Sequence, residues 1–179
     1  SLRSPPPARD LDLRPGRRDA TGDGAGNPLE RPRAVVIDSG GSIYIAGGGS
    51  DNVLKIEPGG AISVILDASG DGAGNTVYSP REIALDSSGN VYVAASLSHN
   101  VFKISPGGMI TEVIDSTGDG GGNVLTGPHG VAVDAWGNIY VSAELSDNAF
   151  KIQPGGTITQ IIDATGDGLN PLDSPYVLS

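Results

Sequence analysis

The sequence has no cysteine at all, and only two Phe, one Trp and one Met among its 179 residues. Without cysteine there is no disulfide scaffold, no thiolate zinc site and no cysteine nucleophile. Long apolar runs are missing too: the longest are about five residues, bounded by Gly, Pro, Ser or Asp, too short for a membrane helix or the apolar stretch of a secretory leader. No membrane partner is expected. Basic residues are scarce, 11 Lys and Arg against 21 Asp and Glu, for a formal charge of −10. Binding nucleic acid requires a basic face, so no nucleic-acid partner is expected either. What is plentiful is glycine, 28 residues, alongside short Val and Ile runs within a 37% hydrophobic composition. That combination points to a turn-rich all-β protein.

The few basic residues are unevenly placed. Residues 1–18 carry five Arg against two Asp together with Pro5, Pro6, Pro7 and Pro15, and they show no apolar period. This head reads as a disordered or non-native segment. From Asp19 to the end, at residue 179, the chain reads as one repeating array.

The repeat has a fixed step of 48 residues: Asp38, Asp86 and Asp134 keep it, as do Tyr44, Tyr92 and Tyr140, and Lys55, Lys103 and Lys151. A period of this size marks propeller blades. In the third copy four strands are expected, at 131–134, 138–142, 148–152 and 157–162, separated by Asp-Ala-Trp-Gly and Gln-Pro-Gly-Gly turns. The separators have the glycine and proline that tight hairpins need. The first strand is apolar on both faces, as a blade sandwiched between two others requires. Blades are therefore expected at about 32–67, 80–115 and 128–163.

The segment from Pro128 to Ile158 resembles the NHL-type and streptogramin-lyase-like propeller repeats. Their pattern runs P-x-G-hydrophobic-A-hydrophobic-D-x-x-G-N-hydrophobic-Y-V, then N-x-hydrophobic-x-K/R-I, then P-G-G-x-I. A broader resemblance reaches the gluconolactonase and phosphotriesterase-like six-bladed propellers. Three blades do not close a ring, since propellers have four to eight, and an open array exposes apolar blade faces. The expected architecture is thus an all-β propeller of four-stranded blades, three per chain, closed into six by a homodimer.

Positions shared by all three copies serve the scaffold, so those that differ carry the functional signal. At the opening of the first strand of each blade, Arg33, Arg81 and His129 are equivalent, followed by Ala34, Glu82 and Gly130. Between the second and third strands, Gly48, Ser96 and Glu144 correspond, as do Asp51, His99 and Asp147. Both kinds of position lie at the mouth of a propeller's central channel, where ligands bind. The expected site residues are Arg33, Arg81, Glu82, His129 and Glu144.

Streptogramin lyases have a similar P-H-x-hydrophobic opening, matched by Pro128-His129-Gly130-Val131, with a Glu after the second strand of the same blade. Here Ala143 takes that place and Glu144 follows one residue later; alternation along a strand would turn it to the other face unless a bulge restores it. In the gluconolactonase and phosphotriesterase-like propellers the resemblance implies a metal held by P-N-G at this opening and by inward acidic residues; His129 replaces the Asn. Oxygen ligands are also offered by the Gly-Asp-Gly loops between blades, including Asp71 and Asp119, although NHL-type repeats have similar loops without metal and a purely structural turn is the favoured alternative. A divalent cation, calcium first, is the expected cofactor, held by Glu82 and His129 or by Asp71 and Asp119. Trp136, alone in its turn, reads as a surface aromatic.

Two functions are compatible with this pattern. One is a metal-assisted hydrolase of small esters, lactones or phosphotriesters, with a lyase acting through His129 and Glu144 as its variant. The other is a non-enzymatic module binding protein or glycan.

Overall fold

The computed structural model describes residues 22–175. The expected head at 1–18 lies outside the described residues. Twelve strands form three antiparallel four-stranded sheets, each in simple sequence order. The first blade holds β1 (Pro32–Ile37), β2 (Ile43–Gly47), β3 (Asn52–Ile56) and β4 (Ile62–Leu66). The second holds β5 (Pro80–Leu85), β6 (Val91–Ala95), β7 (Asn100–Ile104) and β8 (Ile110–Ile114), and the third β9 (Pro128–Val133), β10 (Ile139–Ala143), β11 (Asn148–Ile152) and β12 (Ile158–Ile162).

The hairpins follow from local chemistry. After β5 the chain reverses over Ser87–Gly89, where Gly89 has φ of 81°, a left-handed conformation that glycine adopts without strain. Asp86 organises the turn: one carboxylate oxygen accepts from the Ser88 and Asn90 N–H groups, both at 2.9 Å. The other accepts from Asn90 Nδ2 at 2.6 Å and Tyr92 Oη at 3.0 Å. Asp38 and Tyr44, and Asp134 and Tyr140, make the same pair at 3.0 Å. Lys103 Nζ lies 5.8 Å from the Tyr92 ring centre, in the range of a cation–π contact, and the other two blades repeat it.

Alternation along the strands supplies two apolar faces per blade. Tyr44 and Ala46 of β2 pack with Ile83, Val91, Val93 and Phe102 of the second blade. Tyr92 and Ala94 of β6 repeat this against Val131, Val141 and Phe150 of the third. Phe102 and Phe150 are both fully buried at these seams. The outer seams are open. Val35 and Ile37 are 63% and 65% exposed, whereas Ile83 and Val131, equivalent to Val35, are 3% exposed.

Each seam also has a polar tie. Ser79 N–H donates to Asp51 Oδ1 at 2.7 Å, Gly127 N–H to His99 Nδ1 at 3.0 Å, and Ser174 N–H to Asp147 Oδ1 at 2.9 Å. Asp51, His99 and Asp147 all hold positive φ, between 46° and 59°, to present these acceptors. His99, which sequence position placed among the mouth residues, is therefore a clasp between the second and third blades.

The loop at 22–31 has a twin at 166–174. Asp23 accepts from the Asn27 side chain, Asp167 from that of Asn170, and Ser174 occupies the seam position of Ser79.

Candidate functional site at the channel mouth

The inner strands start earlier than the residue pattern indicates. β9 begins at Pro128, three residues before the expected 131, because Pro128 pairs with Ala143 and Gly130 with Ser142. Between these pairs His129 is left over as a β-bulge. The same irregularity falls between Pro80 and Glu82 in β5 and between Pro32 and Ala34 in β1, which makes Arg81 and Arg33 the extra residues there. Bulges re-aim side chains at strand ends and recur beside functional sites. Here they turn the three variable residues toward one mouth.

In the third blade this geometry brings His129 and Glu144 together. His129 Nε2 lies 3.8 Å from Glu144 Oε2, with the side chains 18% and 26% exposed. Glu144 follows directly after β10, and its N–H donates to the Gly127 carbonyl at 3.0 Å, anchoring the turn. The one-residue shift seen in the sequence does not send Glu144 away, since the bulge at His129 on the paired strand compensates.

Arg81 reaches the same imidazole from the second blade, with Nη1 3.4 Å from His129 Nε2. With the guanidinium as donor, Nε2 is the acceptor; when Nε2 holds a proton instead, the Glu144 carboxylate is the oppositely charged neighbour. Arg81 Nε is buried without a hydrogen-bond partner among the described residues. Arg33 is exposed and lies over Gly48: a Cβ at Gly48 would be 2.7 Å from Arg33 Cγ and 3.1 Å from the Pro80 carbonyl. Glu82 is half-buried beside Arg81, and its Oε1 accepts from the Ile83 N–H at 3.3 Å. The structure therefore gathers His129, Glu144 and Arg81, places Arg33 alongside on the first blade, and gives Glu82 a backbone partner instead.

The expected cation ligands have other partners. Asp71 accepts from the Ala73 and Asn75 N–H groups through one oxygen and from Asn75 Nδ2 at 2.7 Å through the other. Asp119 does the same with Gly121 and Asn123. These bonds hold both carboxyls below the usual aspartate range. Among the described residues no three His, Asp or Glu side chains converge as a metal site would require. A guanidinium, moreover, already stands against His129, where a cation would be repelled. The described residues at the mouth do not fit a divalent metal.

Trp136, 81% exposed in the turn at the other end of the third blade, takes no part. A hollow of about 510 Å³ between the first two blades lies at that same end, lined by Tyr44, Leu85, Asp38 and Asp86. Its carboxylates serve the hairpins already described.

Solved structures share the fold. A catalytically inactive histidine-to-alanine variant of virginiamycin B lyase from Staphylococcus aureus, solved with quinupristin, superimposes with TM-score 0.64 at 18% identity. The match covers 85% of this chain and 46% of that one. A gluconolactonase-family protein matches with TM-score 0.56 at 17% identity, over 76% of this chain and 52% of the other. A chain of a nidogen/laminin complex gives 0.57 at 17% identity, over 84% and 68%. The fold is a β-propeller. The chain spans less than half the length of the lyase. No family model matches the sequence, and no curated protein does.

Proposed function

We propose that the protein is an enzyme that cleaves an ester or lactone bond of a small-molecule substrate at the channel mouth by acid–base catalysis. The observation that carries this is the placement of His129 Nε2 between Arg81 Nη1 at 3.4 Å and Glu144 Oε2 at 3.8 Å, all three from positions that break the repeat. His129 is the base, taking a proton from water as it attacks the acyl carbon, and the imidazolium then gives that proton to the leaving alkoxide as the acyl–oxygen bond breaks. Glu144 orients the resulting imidazolium and stabilises its charge. Arg81 and Arg33 supply positive charge at the same mouth. Glu82 supplies a second carboxylate at the same mouth.

A second reading, elimination by a lyase, is favoured by one specific likeness: in the virginiamycin B lyase, loss of a histidine abolishes catalysis. There the same His129 would remove a carbon-bound proton, and the carboxylate would leave without water.

The test is a panel of aryl esters, lactones and phosphotriesters run in 18O-water. Hydrolysis puts solvent oxygen into the acid product, whereas elimination leaves it unlabelled and yields an alkene. His129→Gln is expected to lower turnover by about a hundredfold or more, and Glu82→Gln and Glu144→Gln report on the two carboxylates. The His99→Asp variant, which keeps the seam acceptor, should retain the rate. If the parent turns over nothing on the panel, or if His129→Gln keeps the wild-type rate, the catalytic reading falls and a binding module takes its place.

A further inference from the structure

The charge at the mouth runs against the charge of the protein. The chain carries −10 overall, and its 21 acidic residues outnumber the basic ones by ten. Even so, the ion pairs among the described residues are Lys55 with Glu57 and His129 with Glu144. Arg33 and Arg81 stand at the same bulge position in adjacent blades, and neither has a carboxylate within 4 Å among the described residues. In so acidic a protein, two arginines at equivalent positions of adjacent blades, neither paired with a carboxylate among the described residues, are not a byproduct of surface composition.

The surroundings hold them there. Gly48 leaves open the volume that Ser96 and Glu144 fill in the other blades, and the stem of Arg33 lies across it, toward the Pro80 carbonyl where the second blade begins. A Cβ at that position would meet Arg33 Cγ at 2.7 Å, so the glycine is needed for this pose. Arg81 starts one residue beyond Pro80 and is turned to the mouth by its own bulge. Its Nη1 meets His129, and its Nε is buried with no partner among the described residues. An unmade hydrogen bond on a buried charged donor is costly and needs an offsetting gain. The planar donor fork of a guanidinium fits a carboxylate or a phosphate with two parallel bonds.

We infer that Arg33 and Arg81 form an oxyanion-binding subsite, so that the ligand of this mouth carries a carboxylate or phosphate group apart from the bond to be cleaved. This rests on the reading of the channel mouth as the functional site, and it narrows the substrate to anionic esters or lactones. The anion docks across the first seam, while the reacting group reaches His129 and Glu144 across the second. The local positive charge of the two guanidinium groups offsets the repulsion that a net acidic protein presents to an anion.

Titration calorimetry with two probes, inorganic phosphate and citrate, tests the subsite at low and at physiological salt. Saturable binding is expected for at least one probe, weakening as salt rises. The stronger probe tells a phosphate ligand from a carboxylate one. Arg33→Gln and Arg81→Gln should each weaken binding by about tenfold or more, while Lys103→Gln, at a distance, leaves it unchanged. Arg33 is exposed, so Arg33→Gln remains informative even if Arg81→Gln disturbs the fold. His129→Gln should keep anion binding and lose turnover, which separates this subsite from the catalytic reading. Absence of saturable binding by either probe, or equal affinity in Arg33→Gln and the parent, overturns the proposal. Turnover of neutral esters in that event would leave the catalytic reading intact.

Discussion

Replacing Asp86 by Asn tests whether the residue shared by every blade stabilises the hairpins through its charge. Asp86 accepts four hydrogen bonds: two from the backbone of its own turn at 2.9 Å, one from Asn90 Nδ2 at 2.6 Å and one from Tyr92 Oη at 3.0 Å. Burial pushes its carboxyl up, but the bonds from Asn90, Tyr92 and Ser88 outweigh that and hold it below the usual aspartate range. Burial and the same carboxylate push the Tyr92 hydroxyl up. In Asp86→Asn, whichever way the amide turns, a donor replaces one acceptor and faces two other donors. A hydrogen bond to a charged group contributes about 1.5–3 kcal/mol. Taking the lower figure for this half-buried turn, the loss of two is about 3 kcal/mol. For a domain of this size that lowers Tm by roughly 6–12 °C. Tyr92→Phe should cost about half as much, and the double variant less than the sum, because both changes remove the same bond. The assay is thermal and urea unfolding followed by far-UV circular dichroism, since Trp136 is too exposed to report on the core. Because the folded carboxyl is more acidic than the unfolded one, near 3.9, the stabilisation is present above that pH and disappears as pH falls through the folded value. The difference between variant and parent should therefore shrink in acid. Equal unfolding midpoints at pH 7, or an equal deficit at pH 7 and pH 2, would refute the reasoning.

Two further outcomes are expected. Chelation should leave Tm unchanged, because Asp71 and Asp119 are already satisfied by Asn75 and Asn123; a fall that calcium reverses would make those loops cation sites after all. The exposed Val35 and Ile37 call for a partner face, and we propose a second copy that closes the ring, so light scattering should give about twice the 18.1 kDa chain mass. Val35→Asp should restore the monomer, and a monodisperse parent monomer at micromolar concentration would rule the dimer out.

The sequence by itself determined the all-β class, the blade period and the hairpin chemistry. These depend on interactions only a few residues apart: Asp86 with Asn90 and Tyr92, Gly89 at positive φ, and apolar alternation on two faces. Repetition then separated scaffold from signal, since what every blade shares cannot single out a reacting atom. Arg33, Arg81, Glu82, His129 and Glu144 are the candidates singled out on that ground. The tertiary structure alone decided how these residues meet. The bulges that aim them depend on the register between paired strands, and register is set by packing over a whole face. Only the contact between adjacent blades shows that Arg81 reaches His129, that His99 serves as a clasp, and that Glu82 bonds to the backbone instead. The acidic loops read as cation ligands because composition cannot tell a free carboxylate from one already bonded within its own turn. That distinction exists only once Asp71 and Asn75 are folded against each other.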